Sequence, residues 1–528
     1  MKKIQWILSL LVFTAMVSVS CKKSYSDLNQ NLNKPTAVPP SLLLNGILVS
    51  MHDDAGGNAE IYSQYYIYNY DYYGNNRYDL GSGSNYYGTL ENVVKMEEAA
   101  VKAGNATVNP YSALGKFFRA YLFTKMSLQM GDIPMTQALQ GAANLTPAYD
   151  PQKKVFQTAL AWLDTANTQL STLVGKNDAS LSGDIYYGND LKKWQKAVNS
   201  FKLRLLIQLS KKAVSDADLN IPQQFANIFN NPTQYPIFTG MGDNLQYNYV
   251  APTNYYPDNA ANFGFNGSRK NMSLTHLGLL QKFHDPRLFI VAEPARYLVD
   301  TKKQPDTSFA SFVGGDPGQD LGIMYNDAGL GKISFLNRKR YYSGYTAEPA
   351  IQIGYIEMCF NIAEAANRGW ITANAEDWYQ KGIKASLAFY GIPASGGDFT
   401  ASFYRPGSTD VTNAANYDNR TINFDYNAYY AQGEVKYAGN NADGLKQILQ
   451  QKYLGLFRQS GLEAYYTYRR TGIPTFSTGS GTGNSGRIAL RFKYPVSEQT
   501  ANAANYKAAL ASQFGGNDDI NGQMWIIK

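Results

Sequence analysis

Several stretches of this chain place apolar residues at alternating three- and four-residue spacings, and that spacing restricts the fold more than any other feature. Leu114, Phe117, Phe118, Tyr121 and Leu122 recur at i, i+3, i+4, i+7 and i+8, which puts them on one helical face. Phe156, Ala159, Leu160, Leu163 and Leu170 form a second stripe, and Val198, Phe201, Leu205 and Leu209 a third. Ile356, Cys359, Phe360 and Ala363 form a fourth, followed by Leu449, Lys452, Tyr453, Leu456 and Phe457. A helix with one apolar face has to bury it on a neighbour, and paired antiparallel helices do so most simply. The expected class is mostly α. Ser41 reads as the cap of a first helix, and Asp150-Pro151 as the start of the helix that carries Phe156.

The helical pattern breaks between about 230 and 345, where Asn, Gly, Pro and Tyr accumulate, and again from 391 to 440. Loops of this length in a compact domain are functional or disordered, and the abundance of aromatics argues against disorder. After the Gly/Ser stretch STGSGTGNSG, Ile488, Leu490, Phe492 and Tyr494 alternate, so a short strand is expected there.

Residues 1–20 combine Lys2 and Lys3 with an apolar run from Ile4 to Val19. That is the pattern of a secretory signal, too short for a membrane span. Ser18-Val19-Ser20-Cys21 resembles the lipobox of bacterial lipoproteins, with Ser18 where leucine is usual. The resemblance implies that Cys21 becomes the first residue and carries acyl chains, a firm membrane anchor when several are present. Residues 21–40 read as a proline-containing tether, and 41–528 as a single domain.

Several functions find no support. The net charge is a modest +7 with no basic run, so no nucleic-acid partner is expected. There is no G-x-S-x-G elbow, phosphate loop or H-E-x-x-H. His52, His276 and His284 are scattered, and Cys359 lies on an apolar helical face, where a core role is expected. Asn517, Asp519, Asn521 and Gly522 imitate the start of a calcium loop, but its twelfth position would be Lys528 instead of glutamate, so a turn is expected. No cofactor and no metal are expected. A glycosidase would need two carboxylates about 5–10 Å apart, and no motif singles out such a pair.

Seven blocks taken together resemble one family. They are NLNKPTAVPPSLLLNGIL; YSALGKFFRAYLFTKMSLQMGDIPMTQAL, with its Gly131-Asp132-Ile133-Pro134 turn; FHDPRL; IEMCFNIAEAANRGW; QQKYLGLFRQSGLEAYYTYRRTGIP; LRFKYPVSEQTAN; and GGNDDINGQMW. In this order they resemble SusD/RagB-type nutrient-binding lipoproteins, with the SusD-like branch nearest. The resemblance implies tetratricopeptide-like helix pairs, a large irregular region that carries the ligand, and a few short strands. It also implies a lipid-anchored, surface-exposed outer-membrane protein that binds an oligosaccharide, or in some members a peptide, and is not an enzyme. The implied partner is a SusC-like TonB-dependent transporter. Lys22 and Lys23 stand where surface-exposed relatives often carry acidic residues. Most matching blocks read as structural; Glu364 and Arg469-Arg470 would satisfy helix ends or each other.

A glycan site needs flat rings for the C–H faces of sugars and polar groups for their hydroxyls. The chain holds 41 tyrosines against 6 tryptophans. Three clusters of them fit. The first is Tyr72, Tyr73, Asn75, Arg77 and Tyr78, with Tyr86 nearby; the second is Tyr247, Tyr249, Tyr255, Tyr256, Phe263, Phe265, Asn266 and Arg269; the third is Arg338-Lys339-Arg340 with Tyr341 and Tyr342. Packing against helices or against the transporter is the competing role for any one of these tyrosines. Peptide binding and surface glycoside hydrolysis are the alternative functions. The anchor is directly testable: Cys21→Ser is expected to abolish incorporation of labelled palmitate and release the protein from the membrane fraction. Unchanged labelling would disprove acylation at Cys21.

Overall fold

The apolar stripes become packed helix faces. In the computed structural model, which describes residues 38–528, Leu114, Phe117, Phe118, Tyr121 and Leu122 are all buried. The expectations for the signal segment, Cys21 and most of the tether fall outside the described residues. Helices α1 (Pro40–Met51), α2 (Tyr87–Lys102), α3 (Pro110–Met130), α4 (Gln152–Gly175) and α5 (Leu191–Gln208) each pack on the next in sequence. A short α6 (Ile221–Asn230) lies against α5. After the long irregular region, α7 (Tyr355–Asn367) packs on α5 and pairs with α8 (Ala375–Phe389). Helix α9 (Ala442–Gly455) lies against both, and α10 (Glu463–Thr471) against α5. Helix α11 (Ala503–Phe514) follows near the C-terminus. The chain is mostly α, as its periodicity predicts.

The Gly131-Asp132-Ile133-Pro134 turn has a clear physical role. Gly131 ends α3 at φ 100°, a conformation that favours glycine. Asp132 then accepts the Gln152 N–H at 2.7 Å and so caps α4. Burial raises its carboxyl to about 6. Ile133–Pro134 (β2) pairs with Tyr149–Asp150 (β3). The cap expected of Asp150 is therefore supplied by Asp132. The Asp150 carboxylate instead accepts from the Met135 and Thr136 N–H groups at 3.1 and 2.8 Å. Ser41 is likewise no cap, because α1 already begins at Pro40.

Among the described residues the strands form two-stranded sheets only: β1 (Tyr66–Tyr68) with β5 (Lys270–Met272), β2 with β3, β4 (Leu245–Tyr247) with β6 (Ala350–Ile353), and β7 (Gly397–Tyr404) with β8 (Tyr417–Phe424). The β7–β8 pair lies inside the stretch expected to be loop. Phe399, Ala401 and Phe403 alternate inward along it, a period-two signal that the surrounding polar residues obscure. The strand expected at 488–494 does not form. Its backbone is shared out instead: Leu490 N–H bonds Ile520, Phe492 N–H bonds Gln129, and Lys493 N–H bonds Gly81.

Several candidates for chemistry prove structural. Cys359 is buried, and burial pushes its thiol up to about 12. His276 is buried against Phe457, with ring centroids 4.4 Å apart; burial, with the Arg287 charge, pushes its imidazole down to about 3 and keeps it neutral. In the C-terminal turn, the Asp519 carboxylate accepts the Asn521 N–H at 2.9 Å, and Asp518 pairs with Arg491 at 2.6 Å.

Glu364 of α7 and Arg470 of α10 satisfy each other. Arg470 Nη2 donates to Glu364 Oε2 at 2.8 Å, and Arg368 Nε reaches Oε1 at 2.9 Å. Burial alone would raise this carboxyl, but the two guanidinium groups outweigh it and hold it at about 2. Since the folded value lies below the ordinary 4.5, the stability it contributes is complete above pH 4.5 and is lost as pH falls towards 2. Arg470→Met is expected to lower stability by about 3 kcal/mol, the low end for breaking a buried pair, because Arg368 remains. A lower urea midpoint at unchanged slope is the expected readout.

Candidate functional site

A buried carboxylate forms the polar join between the irregular region and the helices. Asp258 accepts from Arg458 Nη2 and from Lys270 Nζ, each at 2.7 Å. Burial opposes ionisation, yet these two cations hold the Asp258 carboxyl below its usual range. Arg458, just past α9, also donates to the Tyr256 hydroxyl at 2.7 Å, and its guanidinium lies 4.6 Å from the Tyr341 ring centre. Tyr342 donates to Asp258 at 3.3 Å. Tyr256, Tyr341 and Tyr342 are therefore core residues, fully buried around this ion pair, and present no face to a glycan.

Lys270 begins β5, which pairs antiparallel with β1, Tyr68 opposite Lys270. Neighbouring strand residues point to opposite faces. With Lys270 directed inward to Asp258, Arg269 is directed outward. Its guanidinium carbon sits 5.1 Å from the Tyr70 ring centre and 5.3 Å from that of Tyr73. Tyr72 meets Tyr73 edge-on at 5.2 Å, and Tyr325 meets Tyr70 at 5.6 Å. Tyr72 is 82% exposed, Tyr325 47% and Tyr70 42%. This aromatic surface adjoins a groove of about 720 Å³ lined by Asn69, Arg269, Tyr325, Leu330 and Phe335 among others. That volume suits a small ligand.

Two polar atoms here lack partners among the described residues. Arg269 Nε is a buried donor with no acceptor, and Asn69 Oδ1 a buried acceptor with no donor. The Asn69 amide nitrogen is committed to Ser268 O at 3.0 Å and Asn271 Oδ1 at 2.7 Å, which fixes the orientation of its oxygen. A hydroxyl both donates and accepts, so it is a group that either atom can pair with.

The other sequence candidates disperse. Tyr78 is buried, with its hydroxyl on Tyr62 O at 2.9 Å. Asn75 accepts the Arg77 N–H, and Arg77 pairs with Asp79 at 2.6 Å. Tyr86 caps no groove residue; it lines a different cavity, beneath Lys125. Tyr249 is buried and donates to Asp54 at 2.7 Å. Tyr247 stacks on His52 at 4.2 Å, and Tyr255 forms a half-exposed pair with Tyr345 at 4.7 Å. Phe265 is exposed, while Phe263 packs on Tyr342. Arg338 and Arg340 brace loops, through Gly267 O and Glu348. Tyr70, Asn69 and Tyr325 were not singled out by sequence. Tyr70 lies in the tyrosine-rich run, but Tyr325 sits on the short helix Leu321–Gly329, where nothing distinguishes it from a packing residue.

A helical scaffold whose loops hold an open aromatic groove is an arrangement suited to binding a ligand. Residues 32–495 match the model of the SusD-like family described as starch-binding and associating with the outer membrane, and the chain belongs to that family. A SusD homologue from Bacteroides fragilis NCTC 9343 is 30% identical with TM-score 0.79, the match covering 93% of this chain and 100% of that one. Another from the same organism is 32% identical with TM-score 0.74, covering 93% and 99%. A chitin-binding SusD homologue from Flavobacterium johnsoniae, 20% identical, shares the fold with TM-score 0.68 over 93% and 98%. No curated protein matches the chain.

The buried and exposed tyrosines are expected to separate cleanly in equilibrium unfolding. Tyr341→Ala should cost about 3–5 kcal/mol, as for other large core deletions. Tyr72→Ala should stay within about 0.5 kcal/mol of the parent.

Proposed function

We propose that this protein captures an oligosaccharide on the Tyr70–Arg269 surface and passes it to a SusC-like TonB-dependent transporter, while acylated Cys21 holds it at the outer membrane, facing outward. The carrying observation is the coincidence of exposed rings with the unpaired Arg269 Nε and Asn69 Oδ1 beside one groove. Tyr70, Tyr72, Tyr73 and Tyr325 offer faces and edges to the C–H side of sugar rings. Tyr70 and Tyr73 flank the Arg269 guanidinium, which reduces the entropy lost when it meets a hydroxyl. Family membership supports both the glycan and the outer membrane, and the chitin-binding neighbour has a fold of the same kind. No described helix is long and apolar enough to cross a membrane, so attachment through Cys21 is the proposed anchor.

Calorimetry on a soluble form starting at Lys22, against malto-, chito- and other oligosaccharides and against peptides, tests the reading. An oligosaccharide is expected to bind without being hydrolysed. The double variant Tyr73→Ala/Arg269→Ala should weaken that binding at least about tenfold, or ~1.4 kcal/mol, with unfolding unchanged. Binding of peptides alone, release of shorter sugars, or affinity indifferent to both substitutions would each overturn it.

A further inference from the structure

A second cavity, of about 560 Å³, opens between the turn after α1, the segment before α2, and helices α3, α5 and α10. It shares no lining residue with the Tyr70–Arg269 groove. Its volume again falls in the range of small-molecule sites. Tyr466 of α10 forms part of the wall, is 6% exposed, and its hydroxyl has no hydrogen-bond partner among the described residues. A phenol buried in this way keeps an unmet donor, which a bound hydroxyl would satisfy.

Apart from Asp54, whose carboxylate is exposed at the rim, the charges of the wall are paired. Lys125 pairs with Asp53 at 2.8 Å, 4.9 Å from the Tyr86 ring centre and 5.6 Å from that of Tyr121. Arg204 is bound to Glu357 through Nε at 2.7 Å and to Gln352 O at 2.7 Å. Asp54 accepts from His52 and Tyr249, and Glu463 lies 3.5 Å from Lys452. The carboxylate of an amino acid or peptide would have to break one of the Lys125 or Arg204 pairs, and its ammonium would find a carboxylate only at Asp54 on the rim. A neutral polyol needs only dipolar partners for its hydroxyls and ring faces for its C–H bonds, and Tyr86, Tyr121 and Tyr466 are those rings.

We propose that this cavity binds a short neutral saccharide of one or two rings, through the Tyr466 hydroxyl and the surrounding tyrosine faces, at a site separate from the oligosaccharide groove. The inference stands apart from the function proposed above, because the two sites can be disabled separately.

Glucose, N-acetylglucosamine, maltose and chitobiose, with the dipeptide Ala-Ala as the charged counterpart, are titrated calorimetrically into the soluble chain from Lys22. At least one of the saccharides is expected to bind with Kd of about 1 mM or tighter. Asn58→Trp, which fills the rim from an exposed position, should weaken it about tenfold or more. Tyr466→Phe should weaken it about three- to tenfold, the effect of losing one hydrogen bond, and should not lower Tm. Tyr73→Ala/Arg269→Ala should leave it unchanged. If Tyr466→Phe fails to fold, Asn58→Trp alone decides. Absence of saccharide binding, binding that follows Tyr73 and Arg269 while ignoring Asn58→Trp, or binding of Ala-Ala in place of the saccharides would overturn the proposal.

Discussion

The contact of Asp258 with Arg458 and Lys270 is the charged constraint at the join between the loop-rich region and the helices. Helices α1 to α5 bury their own apolar faces against one another and need no help from the loops. The region from 230 to 345 has only short regular elements, and Leu245, Met272, Leu277, Phe283 and Leu288 bury it in the same core as the helices. Charge adds a polar join to that packing: one carboxylate from the loop receives one cation from the scaffold and one from β5. Such a triad is costly to desolvate, and losing one member leaves an uncompensated charge in the interior. The arrangement therefore specifies position more than it adds stability. Tyr256 and Tyr341 complete it by setting their rings against the Arg458 guanidinium, and Tyr342 by donating to Asp258, all three being buried.

That positioning reaches the surface through strand geometry. Lys270 and Arg269 are neighbours, so fixing one inward sends the other outward. The pairing of Tyr68 with Lys270 also brings the chain from Asn69 to Tyr73 over Arg269. Asn69 N–H bonds Arg269 O at 3.1 Å and continues the ladder past the formal end of the strands. The Tyr70–Arg269 surface is thus an extension of a short sheet whose other face is joined to the helical core. A ligand meeting Arg269 meets a side chain whose backbone is already restrained, which favours binding by a preformed surface.

The sequence shows the scaffold more clearly than the site, for a physical reason. A helical stripe reports burial through spacing, and spacing is visible in one dimension: Leu114, Phe117, Phe118, Tyr121 and Leu122 can be read as core without knowing their partners. Tyrosine carries no such label, since its ring can pack and its hydroxyl can remain wet. Tyr72 and Tyr78 stand six residues apart in one aromatic run, yet one is 82% exposed and the other 1%. What separates them is tertiary: Tyr78 donates to Tyr62 O inside the fold, while Tyr72 leans on Tyr73 at the rim. The Asp132 cap was hidden for a related reason, because the turn residue that serves α4 precedes it by a whole two-stranded sheet. The pairing of Glu364 with Arg470, by contrast, is among the structural roles that the sequence offers these charges beside ligand contact, and the structure selects it.

The same logic distinguishes an ion pair that builds the fold from a polar group available to a ligand. Asp258, Glu364 and Glu357 are buried with their charges matched. Any ligand drawn to them would first have to dismantle a packed interior. Arg269 is held by rings instead of a carboxylate, so its donor can be used without breaking an ion pair. Aromatic support keeps the guanidinium in place and leaves hydrogen bonding open, whereas a carboxylate would have kept it in place by consuming that capacity. At the proposed site a ligand would meet ring faces and single hydrogen-bonding groups, and none of these requires it to carry a charge that would be costly to strip from the site.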